Sequence, residues 1–285
     1  MSAEKAKQYA ERIERVVNYI HDRLDEPLSL DRLAAVANFS KFHFHRQFTA
    51  YMGVPVHKLI QQLRLRRASR ALAFGRRPIT EIALEAGFEN SESFSRAFRQ
   101  LYGQSPSEFR AEPDWRSWRE IVNRMPQPET KDMRVELVDF PYTKVALLEH
   151  RGSEHDVYRT TRRFIEWRRG AGVPPDRGET YGLHYHDAAS VAPEDYRFDI
   201  CVSYPGEVDP NSQGVVSSVI PAGRCARVRH RGSREYIPAA EWLYREWLPG
   251  SGEELRDFPF FFHYVNVGPD VGEKDMITDL YLPLE

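Results

Sequence analysis

Two internal duplications, at different periods, restrict what this chain can fold into more than any other feature. In the first part, Leu33, Ala37 and Phe39 return 49 residues later as Ile82, Ala86 and Phe88. Phe44, Arg46, Phe48 and Gly53 return 50 residues later as Phe94, Arg96, Phe98 and Gly103. The one-residue slip falls between these groups, where a turn absorbs an insertion readily. In the later part the period is 80: Pro141, Ala146, His150-Arg151-Gly152-Ser153 and Trp167 match Pro221, Ala226, His230-Arg231-Gly232-Ser233 and Trp247. Further on, Asp199-Ile200-Cys201-Val202 meets Asp279-Leu280-Tyr281-Leu282 at the same offset. Self-similarity at a fixed period marks repeated structural units, so each part is expected to carry its own pseudo-symmetry.

Each unit of the first repeat opens on a helical spacing: Leu30, Leu33, Ala34 and Ala37, then Ile79, Ile82, Ala83 and Ala86. An i, i+3, i+4, i+7 pattern gathers these on one face, and alanine there lets a second helix cross closely. Asn38 and Gly87 follow, and both residue types tolerate the left-handed backbone of a tight turn. A second amphipathic helix then points Phe44 and Phe48, or Phe94 and Phe98, inward. This is a helix-turn-helix pattern written twice. It leaves Lys41, Phe42, His45 and Arg46 outward on the first unit, and Asn90, Ser91, Ser95 and Arg96 on the second. Arg and Asn reach base edges or phosphates from the major groove, which makes these the candidate DNA-contacting residues. Glu89 and Glu92 lie beside the second set. An acid near phosphate is unfavourable unless it accepts from a cytosine amino group, so the second unit is expected to grip DNA more weakly.

Charge agrees with that division. Residues 1–110 hold 18 Lys and Arg against 12 Asp and Glu, a net of +6, while the remainder holds 22 against 30, a net of −8. A basic half suits a polyanionic partner. The N-terminus is charged from the start and no stretch approaches the length of a membrane span. Cys201 and Cys225 form no ligand-like spacing and are expected as buried thiols in a reducing cytoplasm.

The run from Pro78 to Arg110, ending in Phe98, Gly103, Ser105, Pro106, Phe109 and Arg110, resembles the signature of AraC/XylS-type regulators. That resemblance covers about residues 8–110. It implies seven helices, with a long middle helix near Val56–Phe74 holding both units on one DNA face and adding basic contacts to phosphate. By position, it places base contacts on Phe42, His45 and Arg46, and on Ser91, Glu92, Ser95 and Arg96. Phe42 cannot hydrogen-bond and would pack against a thymine methyl or a sugar edge. Double-stranded DNA is the implied partner, with RNA polymerase a further candidate. Residues 111–131, with Pro113, Pro126 and Pro128, read as a linker.

Each copy of the second repeat reads as a strand, an HRGS turn, a helix and two strands. The alternation of Tyr196, Phe198, Ile200, Val202 and Tyr204 supports the last of these strands. The expected fold is therefore an all-α double helix-turn-helix domain followed by an α+β domain of two pseudo-symmetric βαββ repeats. The second part, about residues 132–285, resembles the GyrI-like effector domain, which implies a small-molecule effector held in a cleft along the pseudo-axis. Aromatic walls and a buried carboxylate would suit a cationic aromatic ligand. Tyr185, Tyr204, Trp242, Phe262 and Tyr264 are the expected wall residues. Where many relatives carry a glutamate, this chain has Phe260-Phe261-Phe262-His263-Tyr264, leaving Glu179, Asp199 and Glu241 as candidate acids. A neutral or anionic effector therefore stays open. So do two other readings of this half, a small-molecule hydrolase and a protein-interaction module. His184 and His186 share a strand face but lack a third ligand, and Cys225 lacks an activating neighbour. No metal, cofactor or catalytic group is expected.

Overall fold

A computed structural model describes residues 3–126, 133–188, 190–234, 237–268 and 271–285; for residues 3–6, Phe42 and Glu273 it describes the backbone alone. The chain divides into two compact units, Met1–Glu129 and Thr130–Glu285. No helix among the described residues is long and apolar enough to cross a membrane.

The first unit is helical: α1 (Ala3–Asp22), α2 (Leu30–Val36), α3 (Lys41–Met52), α4 (Val56–Phe74), α5 (Ile79–Glu85), α6 (Ser91–Tyr102), α7 (Pro106–Ala111) and α8 (Trp115–Asn123). The two helix-turn-helix units are α2–α3 and α5–α6. Their small apolar faces are buried as the spacing demands: Leu33 and Ala37 at 0 %, Ile82 at 2 % and Ala83 at 0 % exposure. Asn38 takes the left-handed backbone at φ 54°, and Gly87 does the same at φ 80°. Asn is one of the few side-chain-bearing residues that occupy this region at low cost. A side chain at Gly87 would collide with Arg64, whose Nη1 lies 2.6 Å from where a Cβ would stand. The middle helix α4 coincides with the expected range. The last family hallmark has a local cause: Ser105 Oγ accepts from the Glu108 amide while the Glu108 carboxylate accepts from the Ser105 amide, a capping box that starts α7.

Residues 111–131 differ from the expected linker. Their first part forms α8, which buries Trp115, Trp118 and Val122. The Trp118 indole donates to Ser69 Oγ on α4 at 2.7 Å, and Trp115 stacks on Phe74 at 5.6 Å. Met125 joins the core of the first helix-turn-helix unit. Three prolines flanking this segment suggested an extended chain. An aspartate cap at Asp114, bonded to the Ser117 amide, starts a helix between them instead. Residues 127–131 of the expected linker lie outside the described residues.

The second unit is an eight-stranded antiparallel sheet with helices on one face. Its strands are β1 (Val135–Phe140), β2 (Thr143–Arg151), β3 (Thr180–His184), β4 (Arg197–Ser203), β5 (Val216–Ile220), β6 (Gly223–Arg231), β7 (Phe260–Tyr264) and β8 (Ile277–Pro283). Helix α9 (Val157–Gly170) follows β2. Helix α10 (Pro238–Trp242), a π-helical turn (Leu243–Trp247) and α11 (Leu248–Ser251) follow β6. Each copy thus has one strand more than the expected βαββ, at its front. The spatial order is β1-β6-β8-β7-β3-β4-β2-β5. The extra strands are exchanged: β1 pairs with β6 of the second copy and β5 with β2 of the first. A pseudo-two-fold axis passes between β3 and β7, where Gly182 faces Phe262, its own equivalent at offset 80.

The connections β1–β2 and β5–β6 contain only Pro141-Tyr142 and Pro221-Ala222. Each can span at most about 11 Å, although six strand spacings of a flat sheet would separate their ends by about 30 Å. The sheet is therefore rolled. Its inner face is set by Phe140, whose ring packs on Phe261 at 4.9 Å, Tyr281 at 5.2 Å and Tyr181 at 5.9 Å. The outer face carries the helices. Phe164 and Trp167 of α9 pack with Leu148, Ile200 and Val202, and Ala239 and Leu243 pack with Val228, Leu280 and Leu282. The central strand β7 adds Phe260 and Phe262 to the second of these clusters, and β3 runs beside it.

Candidate nucleic-acid interface and ligand groove

Burial of Phe44, Phe48, Phe94 and Phe98 at 0 % exposure fixes the outward faces of α3 and α6. Burying a phenylalanine contributes roughly 1.5–3 kcal/mol, so neither helix can rotate without large loss. On α3, His45 and Arg46 are exposed, and neither side chain makes a hydrogen bond or ion pair with the described residues. Lys41 is exposed and bonds Asp31 at 3.0 Å. The side chain of Phe42 lies outside the described residues. On α6, Arg96 bonds Glu92 at 3.2 Å, with side chains 76 % and 88 % exposed. Ser91 and Ser95 are half-buried on the same helix. Asn90 is its N-cap, and its Oδ1 accepts from the Ser93 amide at 2.9 Å.

Three arginines of the middle helix are engaged within the protein. Arg66 is fully buried, and Arg67 is paired with Asp25. Arg64 donates to the carbonyls of Leu24 and Glu26 at 3.1 and 3.0 Å while its guanidinium borders the Gly87 turn. It ties the two helix-turn-helix units together. Helical spacing shows which residues share a face but not which of an arginine's neighbours are carbonyls.

In the second unit, strand alternation separates the five expected wall residues. Trp242, Phe262 and Tyr264 sit on the helix side in one cluster. Tyr204 packs at the far edge of the other helix-side cluster, against Trp167 at 5.7 Å. Tyr185 falls on the opposite, inner face, beneath the Arg197 guanidinium at 4.0 Å. The five therefore do not form one site. A continuous aromatic strip crosses the pseudo-axis instead. His184 lies 4.3 Å from Phe262, 4.9 Å from Phe198 and 6.5 Å from Phe260, ring centre to ring centre. Tyr244, on the π-helical turn, meets Phe260 edge-on at 5.6 Å. His184 is the offset-80 equivalent of Tyr264, a relation that could have found it in the sequence. The strip is possible because β3 carries Thr180 and Gly182 where β7 carries Phe260 and Phe262. A Cβ at Gly182 would stand 2.8 Å from both Phe198 Cε2 and the Tyr264 hydroxyl.

The candidate acids are engaged elsewhere. Asp199 and its equivalent Asp279 point to the inner face, where Arg197 and Arg229 hold them by paired 2.7–3.2 Å contacts. Glu179 accepts from the Tyr181 hydroxyl at 2.6 Å, and Glu241 pairs with Arg245 on the outside of α10. Both cysteines are buried, and burial raises both thiols above their ordinary range. Among the described residues no group of metal-ligating side chains occurs, and His186 lies past the end of β3.

Two helix-turn-helix units followed by a duplicated α+β fold with an aromatic groove define a DNA-binding transcriptional regulator with a small-molecule binding domain. Residues 33–112 match the model of a helix-turn-helix domain. Residues 133–285 match that of the GyrI-like small molecule binding domain. With that match over more than half of its length, the chain belongs to the GyrI-like family, and its N-terminal part is of AraC type. The probable transcriptional regulator YgiV of Escherichia coli K12 is 40 % identical over 152 residues, 53 % of this chain and 95 % of that protein. The right origin-binding protein of the same organism is 38 % identical over 97 residues, 34 % of this chain and 34 % of that protein. The DNA-binding domain of AdpA, solved in complex with a target DNA, is 28 % identical over 35 % of this chain and 90 % of its own, with a TM-score of 0.33.

Proposed function

We propose that the protein reads an operator mainly through α3, with Arg46 as the principal base or phosphate contact and Lys41 and His45 beside it, while α6 adds a weaker contact through Arg96. Two recognition helices fixed by one continuous helix suit successive major-groove segments about 34 Å apart. A single chain then supplies both contacts. Occupation of the aromatic groove over β3 and β7 by a small effector sets how well DNA is held. The effector does so only if it binds one state of the protein better than the other.

The observation that carries this reading is the outward Arg46, free of protein partners among the described residues on a helix locked by two buried phenylalanines. Affinity for the DNA upstream of the protein's own gene, measured by fluorescence anisotropy, tests it. The variant carrying both Arg46→Ala and Arg96→Ala should lose sequence preference and show a shallower salt dependence. Unchanged affinity in that double variant overturns the assignment.

A further inference from the structure

The groove between the two helix clusters is aromatic without being acidic. Along its floor, the helix-facing positions of β3, β4, β7 and β8 alternate out of register with the carboxylates, so Asp199 and Asp279 point through the sheet to its other face. Among the residues of β3, β4, β7 and β8 no carboxylate points to this side. At one end a cation is already in place, because the Arg234 guanidinium sits 5.1 Å from the Tyr264 ring. Amid the rings stands the imidazole of His184. Its Nε2 is buried and has no hydrogen-bond partner among the described residues. Burial pushes this imidazole down to about 4, so it is neutral near pH 7, with one nitrogen donating and the other accepting.

An unpaired buried imidazole nitrogen is costly, and such a group among aromatic walls suits a ligand that completes its hydrogen bond. The strip is also open: Tyr244 is 41 % exposed and His184 and Tyr264 are half-buried. The π-helical turn that presents Tyr244 is a rare backbone form that recurs at functional sites, and the corresponding stretch of α9 is regular helix.

We propose that the groove takes an uncharged planar aromatic molecule bearing a hydrogen-bonding oxygen or nitrogen, with His184 as its specificity-determining contact, and that it discriminates against aromatic cations. The cation preference that aromatic walls alone suggest needs a carboxylate beside them, and at the axis this chain presents Phe262 opposite Gly182. This inference rests on the groove being the effector site.

The test uses the full chain and matched probes in isothermal titration: acridone, flavone and 2-naphthol as neutral aromatics, with 10-methylacridinium and ethidium as cations. At least one neutral probe should bind, and 10-methylacridinium should bind at least ~10-fold more weakly than acridone. His184→Phe keeps the ring packing and should weaken neutral binding by about 5- to 10-fold, while His184→Gln, which keeps a donor and an acceptor, should recover much of it. Phe262→Glu should turn the preference toward the cations. Tighter binding of the cations by wild type, or neutral binding indifferent to His184→Phe, overturns the inference while leaving the effector groove in place. Binding of no probe of either charge overturns both.

Discussion

Helices α3 and α6 are each 12 residues long, each is capped by a side chain that accepts an amide hydrogen, and each buries two phenylalanines. Their outward charges differ. Arg46 on α3 stands exposed and without a partner among the described residues, whereas Arg96 on α6 is already bonded to Glu92 one turn away. The same backbone thus presents a free cation in one unit and a neutralised pair in the other. The two units share what holds each together and differ on the outward side. The second half repeats the lesson. Its copies share the HRGS turn, in which His150 and His230 each bond a serine carbonyl through Nε2, at 3.1 and 3.0 Å. Only His150 has a second partner, Thr160, at 2.8 Å. The equivalent of Thr160 is Ala240, and His230 Nδ1 is buried without a partner among the described residues.

Substitutions can break or sharpen each asymmetry. The largest effect is expected from Arg46→Ala, which should weaken operator binding by about 1–3 kcal/mol. Arg96→Ala should cost less than about 1 kcal/mol, because Arg96 is already engaged in an exposed pair with Glu92. Equal losses in an anisotropy titration would show that the two units grip alike. Gly182→Ala comes next. Its methyl group meets Phe198 and Tyr264 and should destabilise the second unit by about 1–3 kcal/mol in denaturant unfolding, whereas an exposed strand glycine would gain from alanine. Ala240→Thr should restore the missing partner of His230 and stabilise by about 0.5–1.5 kcal/mol; an unchanged midpoint would mean that the two turns are not equivalent. Smallest is Glu92→Gln, which should tighten DNA binding by about 0.5 kcal/mol at low salt, the gain fading as salt screens the exposed charge.

Local features were legible in the sequence. The left-handed turns at Asn38 and Gly87 and the paired HRGS turns each follow from residue type and spacing, whereas the bounds of α4 come with the family resemblance. What escaped depends on partners distant in the chain. The leading strands β1 and β5 could not be recognised because each pairs with the other copy, Val135 with Val228 for instance, and their alternation is blurred by exposed Leu137 and Val219. Arg64 and Arg66 read as a basic surface, but Arg66 is buried and the half-buried Arg64 is held by carbonyls, since helical periodicity does not reveal what crosses a face. Helix α8 was hidden by flanking prolines, although Trp115 and Trp118 at i, i+3 were a signal for a buried stripe. Of the expected wall residues, Trp242, Phe262 and Tyr264 share one helix-side cluster. From sequence His184 reads only as half of a possible chelating pair, because the rings around it come from the other side of the axis.

The exchange of β1 and β5 makes the duplication inseparable. Neither copy alone contains a complete half of the sheet: a fragment ending near Tyr204 would lack the strand that covers β2, and the fragment beginning near Val215 would lack the one that covers β6. Each would expose exactly the edge that the other fills. Two polypeptides produced by cutting that loop should therefore find each other and reassemble, and a lone copy should recruit a twin of itself. On this view the domain is a dimer whose two subunits have been written into one reading frame, which holds its two halves at fixed stoichiometry while allowing only one of them to acquire the aromatic strand.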